Sequence, residues 1–370
     1  MTDDQLRVAV IFGGQSGEHD VSLASARSVM TVLRQSGHHV IPIGITRGGR
    51  WLLRGDPFAI LSDVARNPDA DVVETPGAGH ELVPGATGET FPRIDVVFPV
   101  LHGPFGEDGT VQGLLELAGI PYVGCGVLAS SLSMDKIACK NVLAAHGLPV
   151  VPSRAINRSL WDREPDRVIV DIETALGYPV FVKPANLGSS IGVSKAKDRS
   201  ALVAALNVAA RYDRRLLVEQ AVQLPREIEC AVLGNDDPIA SVPGEVRPSN
   251  EFYDYAAKYI DGRSELLIPA PLPPAVTARV QELAVAAFRA VDGAGLARID
   301  FLLSDSTGDL YITELNTLPG FTAISMYPKL WEASGLPYGE LLDRLIDLAM
   351  ERQGDRVRSQ TKYYGGQLQA

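Results

Sequence analysis

The sequence has little of what secreted, membrane-spanning and nucleic-acid-binding proteins need. It has only three cysteines in 370 residues (Cys125, Cys139 and Cys230), without the spacing of a metal site or of disulfide pairs, so we expect reduced thiols. No run approaches the ~18 apolar residues of a membrane helix, and the acidic start MTDDQ does not resemble a signal peptide. The net charge of −11 argues against a large nucleic-acid-binding surface. We therefore expect a cytoplasmic protein that binds neither nucleic acid nor membranes.

The rest of the composition is that of a soluble globular protein with several domains. Hydrophobic residues make up 46% and charged residues 21%, and 370 residues suffice for two or three domains with their own cores. Short apolar segments alternate with amphipathic ones, which predicts an α/β fold with units at 1–132, 133–222 and 223–370. Residues 48–92, rich in glycine, proline and acids, are predicted to be an insertion, and the polar tail 353–370 to be partly mobile.

Two predicted strands around a polar turn at 304–309 form the segment with the most chemical information. Residues two apart on a strand share a face, and a hairpin about this turn places Asp300 opposite Glu314 and Arg298 opposite Asn316. Carboxylate and amide oxygens suit Mg²⁺ held together with phosphates. A solvated hairpin face is the alternative, but the partly apolar NTLPGFT that follows is a poor surface turn. The segment therefore predicts a metal site.

A first glycine-rich turn, GGQSGEH at 13–19, lies between a predicted strand and a helix predicted to begin at Ser22. It lacks G-x-G-x-x-G, which disfavours a nicotinamide-dependent oxidoreductase. Glu18 would repel a phosphate, so its carboxylate suits an amino group. The alternative, an acid that complements the dipole of the following helix, has equal weight here.

A second glycine-rich loop, HGPFGEDG at 102–109, follows another predicted strand. His102 comes at the carboxyl end of that strand, where α/β sheets place their ligands. A lone histidine is more often structural, so His102 alone is weak support for a site.

Lys183 ends an apolar strand and precedes the glycine-rich loop 186–192. This order differs from a Walker A loop. The glycines allow backbone N–H groups to approach phosphate oxygens, and the serines add donors. A flexible hairpin would explain the glycines but not the lysine in VFVKP, so we predict a phosphate site.

The segment EQAV at 219–222 ends an apolar strand with an acid, as in a hinge that receives an adenine. Glu227 could then bond ribose hydroxyls. Scattered surface acids explain both residues at least as well without further context.

A long loop predicted at 244–262 contains FYDYAAKY at 252–259. Three tyrosines and a lysine in a loop suggest a cover over an active site, because functional residues concentrate in loops. A surface aromatic patch is the alternative.

Taken in order, these motifs closely resemble the D-alanine–D-alanine ligases of the ATP-grasp superfamily. The resemblance covers about Val8 to Met350 and implies a parallel N-terminal α/β domain, a central lid domain and a C-terminal mixed-sheet domain that sandwich ATP. The matching segments are GGQSGEHDVS, LHGPFGEDGTVQG, SMDK, VKPANLGSSIGVSK, REIECAVLG, FYDYAAKY, RIDF, ELNTLPGFT and SMYPKLW.

The resemblance implies a two-step reaction. ATP phosphorylates the carboxylate of one D-alanine, and the amino group of a second attacks the acyl phosphate to give D-alanyl-D-alanine, ADP and phosphate. A carboxylate is a poor electrophile, so phosphorylation supplies a leaving group, and catalysis depends on positioning and charge neutralisation. The product would feed peptidoglycan synthesis.

The resemblance also assigns the nucleotide and metal ligands. Two Mg²⁺ or Mn²⁺ ions would bind Asp300, Glu314 and Asn316. Residues implied to contact ATP are Lys136, Lys183, Ser189, Ser190, Glu219, Ala221, Val222, Glu227, Phe252, Lys258, Leu302 and Asn316.

By the same resemblance, Arg298 and the backbone of Gly320 stabilise the transferring phosphoryl group and the oxyanion. Glu18 holds the ammonium of the first D-alanine, and His102 lies near its carboxylate. Ser325 contacts the carboxylate of the second D-alanine. A hydrogen-bonded triad of Glu18, Ser189 and Tyr259 closes the lid loops.

Tyr259 resembles the dipeptide-forming members, because members that use D-lactate carry phenylalanine there. A relative that uses D-serine or D-lactate as second substrate is the alternative. The resemblance further implies a homodimer through the N-terminal unit, and it leaves activation by a monovalent cation open. A nucleotide-binding module without catalysis would lack a metal ligand or Arg298, and each of those positions is filled.

Overall fold

The computed structural model describes residues 5–53, 56–66, 93–247, 265–322 and 324–359. Three sheets follow one another along this part of the chain, each with helices packed on it. The expected α/β architecture with three sheet-containing units is confirmed, and the boundaries at 132/133 and 222/223 remain predictions.

The N-terminal sheet is parallel except for a short antiparallel edge, in the order β3-β2-β1-β4. Its central strand is buried on both faces, which explains its continuous apolar run. The strands are β1 (Arg7–Gly13), β2 (His39–Ile45), β3 (Trp51–Leu52) and β4 (Val96–Leu101), and the helices are α1 (His19–Gln35), α2 (Pro57–Arg66) and α3 (Thr110–Ala118).

The central sheet has the order β5-β8-β6-β7. One of its faces packs on α7 and α8, and the other is turned towards the third sheet. Its elements, with the two helices before them, are α4 (Val127–Met134), α5 (Lys136–Ala145), β5 (Ser153–Asn157), α6 (Arg158–Arg163), α7 (Pro165–Leu176), β6 (Val180–Pro184), β7 (Ser194–Ala196), α8 (Arg199–Tyr212) and β8 (Arg215–Gln220).

The C-terminal sheet has the order β12-β11-β9-β13-β14, with β10 paired to β9. Its elements are β9 (Pro225–Gly234), β10 (Ile239–Ala240), β11 (Gly244–Arg247), β12 (Glu265–Leu267), α9 (Pro274–Ala290), β13 (Gly295–Ser304), β14 (Leu310–Asn316), α10 (Met326–Ala333) and α11 (Tyr338–Arg356).

The predicted hairpin register is confirmed. Asp300 pairs with Glu314 and Arg298 with Asn316. A bulge follows, since Phe301 pairs with Ile312 and Thr313 is left as the extra residue. The Thr313 hydroxyl donates to the carbonyl of Asp300 at 2.9 Å, which satisfies that backbone group at the irregularity.

Several element boundaries differ from the predictions. Helix α1 begins at His19 rather than Ser22, because its polar first turn hides the start of the apolar pattern. The predicted loop 244–262 opens with strand β11, which pairs with β9 and β12, while residues 248–262 of that loop lie outside the described residues. The predicted insertion begins with strand β3, and the final helix continues to Arg356, inside the predicted tail.

The final helix α11 is bound to the N-terminal unit by two arginines. The guanidinium of Arg352 donates to the carbonyls of Gly124 and Tyr122 and lies 4.3 Å from the centroid of the Tyr122 ring. One turn further on, Arg356 pairs with Glu116 at 3.1 Å. These contacts explain why the helix extends past its apolar pattern. No helix in the described ranges combines the length and the apolarity needed to cross a membrane.

We expect Arg352→Met to lower the free energy of unfolding by about 2 kcal/mol. It removes charged hydrogen bonds to two carbonyls and a cation–π contact while keeping the aliphatic stem. Urea unfolding followed by circular dichroism measures the change. Arg358→Met is the control, because Arg358 makes an exposed ion pair with Asp355. An equal loss of unfolding free energy in both variants would contradict a stabilising role for the Arg352 contacts.

Candidate active site

A cavity between the central and C-terminal sheets collects many of the predicted site residues. It is walled by strands of both sheets and by the loop that follows β6. The predicted residues that line it are Lys136, Lys183, Ser189, Ser190, Glu219, Val222, Glu227, Arg298, Asp300, Leu302 and Glu314.

Alternation along β13 decides which side chains face the cavity. Ile299, Phe301 and their alternate neighbours are buried against α9, whereas Arg298, Asp300 and Leu302 point the other way. The same face continues across β9, where Glu229 is directly opposite Asp300. A polar patch therefore lies on a sheet whose other face is the apolar core.

Two carboxylates hold Arg298. Its guanidinium donates to both oxygens of Asp300 at 2.6 Å, and its Nε lies 3.0 Å from Glu229 Oε2. Burial opposes the charge, but the negative charges of Asp300 and Glu229 outweigh it and raise the pKa of Arg298 well above its usual value. Arg298 is therefore a fixed cation at the floor of the cavity.

The opposite wall carries a second charge cluster. On β6, Val180 and Val182 are buried in the core while Lys183 faces the cavity. Its Nζ lies 2.5 Å from Glu219 Oε2, and Lys140 Nζ lies 2.6 Å from Glu219 Oε1. Burial alone would raise the pKa of Glu219, but the two ammonium groups lower it to about 2. In this structure the anionic partner of Lys183 is Glu219.

The predicted metal ligands form a donor set of the right chemistry. Asp300 and Glu314 are directly opposed on neighbouring strands, and Asn316 follows two residues later on the same face. Within the described ranges, no group of three or more His, Cys, Asp or Glu could hold a metal alone. Two carboxylates and an amide instead fit an ion that also takes phosphate oxygens.

Two of these donors have other partners in the structure. Both oxygens of Asp300 accept from Arg298, and Asn316 Oδ1 accepts the backbone N–H of Leu318 at 3.1 Å. A metal bound here would share Asp300 with Arg298 and would share the Asn316 Oδ1 atom with the N–H of Leu318.

Glu18 lies where three loops meet. A Cβ added to Gly188 would be 3.1 Å from Glu18 Oε2, and one added to Gly103 would be 3.2 Å away. Glu18 is also the N-cap residue of α1 and makes no capping hydrogen bond there, so the alternative of an acid that complements the helix dipole stays open. The N-terminal turn, the second glycine-rich loop and the loop after β6 therefore close on one carboxylate.

His102 is buried beside this junction. Its Nδ1 lies 3.0 Å from the carbonyl of Leu318, and its Nε2 lies 3.4 Å from the hydroxyl of Ser25. Burial lowers the pKa of His102 despite the opposing effect of Glu18. Both ring nitrogens face protein groups, so a direct substrate contact would require one of these bonds to be exchanged.

The loop after β6 holds an unusual backbone conformation. Ser189 and Ser190 have φ values of 51° and 59°, a left-handed region that residues other than glycine seldom adopt. Such strain persists where the surroundings fix it. The Lys136 ammonium contributes here, since it donates to the carbonyl of Leu187 at 2.5 Å.

The loop after β14 brings Gly320 and Ser325 together. A Cβ on Gly320 would lie 2.8 Å from Ser325 Oγ, so only glycine fits without a shift. The Ser325 hydroxyl accepts the N–H of Thr322 at 3.0 Å. Neither residue lines the cavity between the central and C-terminal sheets, which is consistent with a separate substrate position.

Some predicted contacts remain outside this geometry. Phe252, Lys258 and Tyr259 lie outside the described residues. The backbone N–H of Ala221 donates to the carbonyl of Pro179 at 2.9 Å and is thus already used within the central sheet.

Three site residues were missed by the sequence reasoning: Lys140, Glu229 and Glu107. Lys140 lies one turn after Lys136 on α5, and Glu229 two residues after Glu227 on β9, so the helical and strand periods could have found both.

The third missed residue, Glu107, lies in the second glycine-rich loop and accepts the N–H of Gly103 at 2.5 Å. Burial and the charge of Glu18 raise the pKa of Glu107 well above its usual range.

Family comparisons agree with this geometry. A model described as the D-ala D-ala ligase N-terminus matches residues 7–125, and one described as the D-ala D-ala ligase C-terminus matches residues 142–347. The chain belongs to the D-alanine–D-alanine ligase family.

Relatives of this ligase resemble it over nearly the whole chain. The D-alanine–D-alanine ligase of Heliobacterium modesticaldum is 52% identical over 361 residues, which cover 96% of this chain and 97% of that protein. The structure of the D-alanine–D-alanine ligase from Coxiella burnetii has a TM-score of 0.79 at 37% identity and covers 96% of this chain and 97% of its own. The VanG D-Ala:D-Ser ligase of Enterococcus faecalis has a TM-score of 0.79 at 36% identity, covering 94% of this chain and all of its own (100%).

The Glu219 cluster predicts a pH-dependent stability for this ligase. A carboxylate whose folded pKa is about 2, against an ordinary 4.5, stabilises the fold above pH 4.5 and loses that contribution as the pH falls towards 2. The full contribution is on the order of 3 kcal/mol. Urea unfolding of Glu219→Gln should therefore differ most from the wild type near neutral pH, and the gap should narrow below pH 4.5. The exposed Glu282→Gln serves as the control, and a gap that stays constant with pH would contradict the assignment.

Proposed function

We propose that this ligase joins two D-alanine molecules through a D-alanyl phosphate, with ATP bound in the cavity between the central and C-terminal sheets. The observation that carries the proposal is the arrangement of that cavity. Arg298, Asp300 and Glu314 lie on one wall, Lys136 and Lys183 on the other, and the loop that follows β6 reaches Glu18. Residues suited to bind phosphate, a metal ion and an amino group thus lie next to one another around the cavity.

In the first step, the carboxylate of one D-alanine attacks the γ-phosphorus of ATP, and ADP leaves. Lys136 and Lys183 bind the phosphates, and Glu227 bonds the ribose. Two Mg²⁺ or Mn²⁺ ions, held by Asp300, Glu314 and Asn316, would neutralise charge on the phosphates when bound. Arg298 adds a permanent positive charge beside the transferring group, where preorganised charge is most effective.

In the second step, the amino group of the second D-alanine attacks the acyl carbon of the D-alanyl phosphate. A tetrahedral intermediate forms, and it collapses as phosphate leaves with the electron pair of the C–O bond and takes up the proton that the attacking nitrogen releases. Arg298 and the backbone N–H of Gly320 stabilise its oxyanion. Glu18 holds the first ammonium, and Ser325 binds the carboxylate of the second substrate.

Closure of the site would keep water from the acyl phosphate. We assign this to the loop of Ser189 and Ser190 together with the segment that contains Phe252, Lys258 and Tyr259. The close approach of Glu18 to Gly188 supports a triad of Glu18, Ser189 and Tyr259, because it already brings the N-terminal turn against the lid loop. His102, near Glu18, would orient the loop at Leu318 and lie close to the carboxylate of the first substrate.

The cellular setting follows from the product. D-alanyl-D-alanine is a precursor for peptidoglycan, so we place the enzyme in the cytoplasm. A homodimer through the N-terminal unit and activation by a monovalent cation belong to the same proposal.

A D-serine-dependent activity is the second candidate, supported by the similarity to the VanG D-Ala:D-Ser ligase. The curated relatives of higher identity, such as the 52% identical one, are named D-alanine–D-alanine ligases. We therefore favour D-alanine as the second substrate.

A competition assay tests the proposed function. Purified enzyme receives ATP, Mg²⁺ and D-alanine, with D-serine and D-lactate at equal concentration, and mass spectrometry identifies the products. We expect D-alanyl-D-alanine to dominate, with one phosphate released per dipeptide. Predominant D-alanyl-D-serine would select the second candidate. In a separate reaction, L-alanine replaces D-alanine, and phosphate release at the same rate would refute both candidates.

Glu314→Gln should reduce kcat on the order of 100-fold or more, because the charge at the metal matters most as charge moves on the phosphoryl group. Affinity for ADP, measured by calorimetry, should change less than about tenfold, because the lysine contacts remain. Glu332→Gln on the exposed part of α10 is the matched control. Near-normal turnover in Glu314→Gln would remove Glu314 from the metal site.

A further inference from the structure

We infer that Lys140 is a positioning residue for the nucleotide: it keeps Glu219 paired, so that Lys183 is free to turn from Glu219 to the phosphates. The inference rests on the proposed binding of ATP in the cavity.

The first observation is that Glu219 is held from two sides. Lys183 Nζ lies 2.5 Å from Oε2, and Lys140 Nζ lies 2.6 Å from Oε1. Each oxygen of the carboxylate thus has its own ammonium. Among the described residues, Lys140 Nζ has no hydrogen-bond partner apart from this ion pair.

The second observation is that the two lysines are not equivalent. Lys183 lines the cavity and its side chain is 22% exposed, whereas the side chain of Lys140 is 5% exposed and lies behind Glu219. A bound phosphate can therefore reach Lys183 but not Lys140. We therefore take Lys183 as the partner that a phosphate can draw away from Glu219, and Lys140 as the partner that stays.

The second ammonium group at Glu219 has an electrostatic effect. A phosphate that captures Lys183 would leave the Glu219 carboxylate, only 6% exposed, without a partner if Lys140 were absent. An unpaired buried charge is strongly destabilising, because it has lost its hydration without compensation. With Lys140 in place, one ion pair remains when the other is given up. The cost of moving Lys183 to the nucleotide is therefore reduced.

Helix α5 makes this arrangement possible. Lys136 and Lys140 are four residues apart and share one face of the helix. Asp135 caps the helix by accepting the N–H groups of Ile137 and Ala138, and Ile137 packs with Leu217 of β8. The helix is thus fixed against the strand that carries Glu219.

A double-mutant cycle tests the inference through binding of ADP with Mg²⁺, measured by calorimetry without D-alanine. Lys140→Met keeps the aliphatic stem and removes the charge. We expect it to weaken ADP binding at least tenfold, because Lys183 is then the sole partner of Glu219. In a Glu219→Gln background the same substitution should change ADP affinity less than about twofold, because no carboxylate competes for Lys183.

Two further variants separate positioning from support of the fold. Lys140→Arg retains the charge and should keep ADP affinity within about threefold. Cys139→Ala, a buried neighbour on α5 that faces the core, should lower the melting temperature and leave ADP affinity unchanged. Steady-state kinetics of Lys140→Met should show a raised KM for ATP with little change in the KM for D-alanine.

The outcomes are distinct. Equal weakening by Lys140→Met in both backgrounds, or a loss in Lys140→Arg as large as in Lys140→Met, would overturn the inference and leave Lys140 a structural residue. Where Lys140→Met does not fold, Lys140→Arg is compared with the wild type, and a loss of ADP affinity of tenfold or more in Lys140→Arg would overturn the inference. Failure of the wild-type protein to bind ADP with Mg²⁺ would instead refute the proposed function itself.

Discussion

The ion pairs of Arg298 are the constraint on which the site depends. Strand β13 lies between β9 and β14, so its register determines which residues of these two strands lie beside Arg298 and Asp300. Glu229 from β9 and Asp300 from β13 itself fix the guanidinium, and the opposed Glu314 completes the polar face. A shift of β13 by one residue would send Arg298 and Asp300 into the core beneath α9. The apolar packing of the sheet therefore also guarantees the placement of the charges.

The same principle occurs on both walls of the cavity. Arg298 has two carboxylates, and Glu219 has two ammonium groups. Under the proposed function, one partner in each cluster turns to a ligand while the other keeps the buried charge paired. A second partner matters because an unpaired buried ion costs several kcal/mol. The proposal therefore treats the two walls as arranged for exchange of partners rather than for maximal stability.

How far the sequence predicts this site depends on the sequence distance between its parts. Arg298, Asp300, Glu314 and Asn316 belong to one hairpin, so the period of two and the position of the turn sufficed. The bulge at Thr313 has no such signature. The pairing of Asp300 with Glu229 joins segments about 70 residues apart, and the contact of Lys140 with Glu219 joins a helix to a distant strand. Local periods place Lys140 on the face of Lys136 and Glu229 on the face of Glu227, but the partners of Lys140 and Glu229 depend on tertiary packing, which local patterns do not encode.

Anomalous diffraction from crystals grown with ADP and Mn²⁺ tests the central claim most directly. The account predicts Mn²⁺ peaks bonded to oxygens of Asp300 and Glu314 and to the diphosphate, with Arg298 still paired to Glu229. Mn²⁺ peaks away from these two carboxylates, or a nucleotide bound outside the cavity between the two sheets, would contradict it.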